Sequence, residues 1–180
     1  MQGLFGNNAP MKKRRQKRSE KYAGLTGHLV ISTIHSGITA GVYARMINMN
    51  IEPFLLASSI IAVMSLRLVR KNCTFCTQTY QPEPALLRLV PPELVSTTEF
   101  RKGTGCAECL HTGYSGRTAL TELLVADEVF RDAVMQKLAT KTLQEVAIRQ
   151  GMQTMLQNGL KRVVSGQTTM DEILRVVAVE

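Results

Sequence analysis

Hydrophobic positions along the 180 residues fall into distinct textures, and each predicts a different element. From His28 to Ile34 the chain is almost all apolar or β-branched, without alternation. That pattern predicts a strand buried on both faces, as in a parallel sheet. Over residues 39–49, Val42, Met46 and Met49 share one face, predicting a helix, and Asn50 tolerates the left-handed conformation that closes many helices. Pro53 suits the first turn of a second helix. Phe54, Ala57, Ile61, Met64 and Leu68 then recur at +3/+4, and Ile60 and Val63 widen the band. The spacing predicts a buried helix reaching Lys71, with Arg67, Arg70 and Lys71 complementing its dipole in the last turns.

Beyond Lys71 the texture changes. Residues 73–116 hold all four cysteines and four of the six prolines, which reads as a loop-rich insert. Residues 117–125 (RTALTELLV) predict a returning strand, and from Asp127 onward the pattern is helical. Thr142 with Glu145, and Thr169 with Glu172, have the Thr-x-x-Glu spacing of capping boxes ahead of apolar faces. Gly151, Gly159 and Gly166 punctuate this region.

Charge changes the picture only locally. The net charge is +8, but residues 12–21 alone hold seven basic and one acidic side chain. From Tyr22 onward, 15 basic residues face 13 acidic ones, so the body is nearly neutral. The arm has the composition to contact phosphate backbones, although such runs are commonly solvated and disordered. The body gives no electrostatic case for nucleic acid. The longest apolar stretch, residues 54–66, is 13 residues with three serines, short of the roughly 20 a membrane span needs. No apolar run follows the N-terminal charges as in a secretory signal, so a cytosolic chain is expected.

The clearest chemistry lies in Cys73-Thr-Phe-Cys76 and Cys106-Ala-Glu-Cys109, two C-x2-C pairs separated by 29 residues. Each pair turns two thiolates toward one centre, and two pairs complete a tetrahedron with no position for water, the form of a structural Zn²⁺ site. The rivals are disulfides, disfavoured in a cytosolic chain, an iron centre, and unconnected buried cysteines. His111 offers a substitute ligand. Metal binding contributes on the order of 10 kcal/mol to the folding of such a module, which has few large apolar residues of its own.

Two histidines bracket the predicted first strand. His35, before Ser36-Gly37, would sit at the carboxyl edge of the sheet, where open α/β folds bind ligands. His28 would lie about 23 Å away along an extended strand, so one ligand does not reach both. A structural role is the competing reading for each.

TGHLVISTIHSG (residues 26–37), followed by YARMINMNIEPFLLASSIIAVMSLRLVRKNC, resembles the histidine box and following segment of the type II secretion and type IV pilus assembly ATPases. The two C-x2-C pairs, CLHTGYSGR (residues 109–117) and QGMQTMLQNGLKRVVSGQTTMDEILRV (residues 150–176) continue the resemblance, which covers about residues 23–178. It implies an α/β protein: the C-terminal part of a RecA-like P-loop ATPase core, a zinc-binding insert and a C-terminal helical subdomain. In this division residues 1–22 are a basic arm, disordered or of non-native sequence. Residues 23–72 belong to the ATPase core, 73–116 to the tetracysteine subdomain, and 117–180 to the returning strand and helical subdomain. The resemblance further implies a hexamer that uses ATP and Mg²⁺ to power secretion or pilus assembly. It would act with inner-membrane platform components at the cytoplasmic face. His35 would sense or orient the terminal phosphate, His28 would support it, and Arg45 would lend charge at a subunit boundary or form a surface ion pair.

The chain also departs from the family. It contains no G-x4-G-K-[ST] and no acidic Walker B segment ahead of the TGH stretch. Ser36-Gly37 stand where Thr-Asn is usual, Asn50 where Gly is, and Leu66 where Gln is. Residues 11–18 (MKKRRQKR) can be encoded so that a neighbouring frame reads DEETAAEA, like the family's D-x-E-T-A-x-x-A, which fits a truncated product with a frame-shifted start. The expected function is therefore the truncated C-terminal portion of a secretion ATPase, inactive alone. The alternative is a zinc-stabilised adaptor or regulator that binds nucleic acid through its arm.

Overall fold

The structure, a computed structural model, describes residues 29–177. It is a mixed α/β chain whose described residues divide into two compact units, one built from 29–64 and 123–152, the other from 65–122 and 153–177. Two long strands, β1 (Ala62–Asn72) and β4 (Tyr114–Val125), pair with one another and each contribute to both units. Bonds just beyond their ends, Ala126 N–H to the Ile61 carbonyl and Cys73 N–H to the Gly113 carbonyl, both 2.9 Å, show that they run antiparallel.

The first unit packs α1 (Gly41–Asn48), α2 (Pro53–Ser59), α5 (Glu128–Met135) and α6 (Thr140–Arg149) around one core. Tyr43 and Phe130 meet edge to face there, with ring centroids 5.1 Å apart. Asp127 caps α5 by accepting the Phe130 N–H at 2.8 Å. Met46, Leu56, Val134 and Leu143 complete the centre. Each such side chain contributes roughly 1.5–3 kcal/mol on burial.

The second unit contains β2 (Thr77–Thr79) paired antiparallel with β3 (Arg101–Gly103), and the short helices α3 (Pro84–Leu87) and α4 (Pro92–Val95). It also holds a 3-10 turn (Ala107–Cys109) and the helices α7 (Met155–Val164) and α8 (Met170–Val176). Its core joins Val69 of β1 and Leu120 of β4 to Phe100, Leu160, Val163, Met170 and Ile173.

Four expectations are corrected. The helix predicted to run from Pro53 to Lys71 stops at Ser59, and Ala62–Asn72 is strand. The Ser58 hydroxyl turns back onto the Phe54 carbonyl at 2.7 Å and that of Ser59 onto Leu55, a competition for backbone acceptors that weakens a helix end. Beyond them Val63 and Ser65 are half-buried and Val69 is buried on one face of the strand, with Arg67 between them reaching solvent, while Ile61, Met64 and Leu68 of the supposed helical stripe are exposed. Arg67, Arg70 and Lys71 therefore lie on a strand.

The described part of the predicted first strand, residues 29–34, forms no strand, and Leu29 and Ile31 are exposed. A doubly buried strand exists only between neighbours, and neither described sheet includes this segment. Thr142 and Glu145 form no capping box, because α6 starts earlier, at Thr140 after Ala139. Thr169 does cap α8 through the Glu172 N–H, but the Glu172 carboxylate is engaged elsewhere, so that box is half made. A full box, unforeseen, starts α7 at Thr154 with Gln157. Asn50 closes α1 with φ of 57°, and Pro53 occupies the first turn of α2, both as expected.

Candidate metal centre

β2 and β3 bring the two cysteine pairs to the same end of a ribbon. Thr77 pairs with Gly103, Cys76 immediately precedes the first strand, and Cys106 follows the second by three residues. All four Sγ atoms lie within 4.8 Å of one another. Cys73 to Cys106 is 3.9 Å, Cys76 to Cys109 is 3.8 Å and Cys106 to Cys109 is 3.7 Å. Four thiolates on a tetrahedral metal with bonds of about 2.3 Å would lie about 3.8 Å apart. The thiols are free, and these separations are far beyond the roughly 2 Å of a disulfide bond. The donor set therefore fits a closed four-sulfur metal site. His111, exposed and with φ of 59°, is not part of the cluster.

The backbone is shaped to hold thiolates. The Gly105 N–H donates to Cys76 Sγ at 3.3 Å, and the Cys106 and Gly113 N–H groups donate to Cys109 Sγ at 3.2 and 3.3 Å. Burial would push the Cys109 thiol up, but those two N–H donors together with the neighbouring Cys106 and Cys76 thiols outweigh it and hold it down at about 6. Cys106 is pushed up to about 11, chiefly by burial. Thr77 and Thr112 hydroxyls each donate to the carbonyl of a cysteine, Cys73 and Cys109, at 2.6 Å. Such outer contacts fix ligand orientation.

Beside the ribbon lies a charged cluster that sequence reading missed. Glu172, with a fully buried side chain, accepts from Arg70 through the backbone N–H (3.0 Å), Nε (3.0 Å) and Nη2 (2.7 Å). It also accepts from Arg175 through Nε (3.0 Å) and Nη2 (2.6 Å). Burial alone would raise this carboxyl, yet the two guanidinium groups and the Arg70 N–H bring it down to about 2. Arg70 lies 4.2 Å over the Tyr114 ring, and the Tyr114 hydroxyl bonds the Thr169 hydroxyl at 3.0 Å. The residues are 102 apart in sequence, so only a half-made capping box at Thr169 hinted at the site.

The predicted histidine pair is only partly visible. His35 is exposed in the irregular segment before α1, and His28 lies outside the described residues, as does the basic arm. Arg45 is exposed in the last turn of α1. His35 and Arg45 belong to the first unit and the four cysteines to the second. Among the described residues no helix is long and apolar enough to cross a membrane.

A mixed α/β chain with a four-thiol centre is the class these features define. A family model described as type II/IV secretion system protein matches residues 20–175, and the chain belongs to that family. It is 39% identical over 154 residues to the type IV pilus assembly ATPase PilB of Thermus thermophilus, covering 84% of this chain and 17% of that protein. It is 41% identical over 155 residues to the type II secretion system protein E of Aeromonas hydrophila, covering 86% of this chain and 30% of the relative. The type II secretion system ATPase E of Vibrio cholerae is 35% identical over 154 residues, 86% of this chain and 30% of its own length. The chain thus spans less than a third of these relatives.

Proposed function

We propose that the chain is the C-terminal portion of a secretion or pilus assembly ATPase, and that it hydrolyses no ATP alone. What carries this reading is the family match across residues 20–175 in a chain that contains no G-x4-G-K-[ST]. Phosphoryl transfer depends on backbone amides, a lysine and a held Mg²⁺ around the β- and γ-phosphates, and no motif here supplies the amides or the lysine. Residues 23–72 would complete a RecA-like core supplied with its phosphate loop elsewhere. Residues 73–116 would form the zinc subdomain and 117–180 the returning strand and helices.

In this reading Cys73, Cys76, Cys106 and Cys109 hold one Zn²⁺. When bound, the metal would supply coordination that closes the ribbon, with no open position for chemistry. The near-tetrahedral sulfur spacing supports the assignment. His35 would sense the terminal phosphate, with His28 in support and Arg45 at a subunit boundary, in a hexamer on the cytoplasmic face of the inner membrane.

The test uses the purified 180-residue chain. Elemental analysis should find one zinc per chain without added metal, and magnesium-dependent ATP turnover should stay at buffer background. Adding a phosphate-loop-bearing fragment of a relative should raise turnover. Measurable turnover by the chain alone would overturn the reading, and a well-folded product free of metal would overturn the zinc site.

A further inference from the structure

We propose that Tyr114 is a positioning residue coupling occupancy of the four-thiol centre to the Arg70–Glu172–Arg175 cluster. The proposal rests on the metal reading above. Its connections are all within the second unit. Gly113 is held from both sides, its N–H donating to Cys109 Sγ at 3.3 Å and its carbonyl accepting from Cys73 N–H at 2.9 Å. The next residue is Tyr114, and the cysteine knuckle therefore sets where its backbone starts β4.

Tyr114 then passes that position on in two directions. Its ring lies beneath the Arg70 guanidinium at 4.2 Å, and its hydroxyl meets Thr169, the cap of α8, at 3.0 Å. Arg70 is also gripped at its carbonyl by the Thr168 hydroxyl at 2.8 Å. Both routes converge on Glu172, whose N–H is held by Thr169 and whose carboxylate receives Arg70 and Arg175.

A loosened knuckle frees Gly113, shifts the Tyr114 ring and hydroxyl together, and removes the surface on which Arg70 is stacked. Thermodynamic linkage makes this reciprocal: whatever the filled centre does for the arginine cluster, disrupting the cluster does to metal affinity. A purely structural tyrosine would lower stability without that reciprocity.

Zn²⁺ affinity of the full chain, measured by competition with a chromophoric chelator, tests it. Tyr114→Leu loses the ring and hydroxyl, and affinity should fall about 10-fold or more, the range seen when outer contacts of a metal site are removed. Tyr114→Phe keeps the ring and should fall by a smaller factor, and Glu172→Gln should also weaken binding. Val163→Ala, in the core of the same unit but outside the network, controls for general destabilisation and should leave affinity within about twofold. As a second readout, stripping the metal should shift the Arg70 Nε–H resonance in Tyr114-containing protein and shift it far less in Tyr114→Leu. Tyr114→Leu with affinity like Val163→Ala, or an Arg70 resonance indifferent to metal, would overturn the coupling. A chain that binds no zinc at all would overturn the metal reading with it.

Discussion

Gly103 and Gly113 cross so closely that a Cβ on Gly103 would stand 2.0 Å from the Gly113 carbonyl oxygen. One glycine ends β3 and the other follows the second cysteine pair, so their crossing locks the ribbon to the knuckle. Gly113 also has φ of 75°, which a larger residue adopts only with strain. Gly103→Ala must push backbone against backbone, with no flexible side chain to give way. The expected cost is roughly 2–3 kcal/mol, at the upper end for overpacking, together with weaker metal retention. Chemical denaturation of the zinc-loaded variant would show it, and an unchanged midpoint would contradict the crossing.

The Glu172 cluster predicts a defined acid sensitivity. The carboxyl sits at about 2 in the folded chain and near 4.3 when unfolded. A group depressed in this way stabilises the fold fully above the unfolded value. That contribution fades as pH falls from about 4.3 toward about 2. It amounts to on the order of 2–3 kcal/mol, allowing for partly exposed arginine partners. Urea unfolding at pH 6 and pH 3 should show roughly half of this loss in the wild type, since pH 3 lies about midway between the two values. Glu172→Gln should be weaker at pH 6 and show a smaller decline between the two.

These two features differ in how far they could be read from sequence. The cysteine cluster was legible because each C-x2-C turn is local and needs only one partner turn. The arginine cluster was not, since Arg70 meets Glu172 across 102 residues. The strand from Ala62 to Asn72 is hidden in the sequence for a related reason: its partner β4 begins at Tyr114, and a period-two face shares apolar positions with a helical stripe. Residues 29–34 carry a strand-like composition, but composition cannot supply the neighbours a buried strand requires. The family was legible from ordered motifs, whatever the element each motif forms.

Helix contact in the second unit gives a third prediction. A Cβ on Gly159 of α7 would approach Ile173 Cγ2 of α8 to 2.8 Å, and both residues are buried. Alanine in a helix interior gains roughly 0.8–1 kcal/mol over glycine, whereas overpacking costs about 1–3 kcal/mol. Overpacking should win, because Ile173 has no exposed surface into which to move. Gly159→Ala is expected to lower the unfolding midpoint, and pairing it with Ile173→Leu, which removes the β-branch, should recover part of the loss. A variant more stable than wild type would mean that α7 and α8 separate easily.

The final prediction distinguishes a functional His35 from a structural one. His35 is exposed, and among the described residues it makes no hydrogen bond or ion pair. Exposed substitutions away from such contacts usually change stability by less than about 0.5 kcal/mol. His35→Ala in the isolated chain should therefore melt like wild type. A sensing role becomes visible only once other groups have fixed the phosphates, since a positioned side chain contributes after its substrate is held. With a phosphate-loop-bearing fragment added, His35→Ala should depress magnesium-dependent turnover about 100- to 1000-fold, the scale of one lost positioned donor. His28→Ala should depress it less. Wild-type turnover in His35→Ala would remove His35 from the reaction, and a large loss of stability in the isolated chain would assign it to the fold.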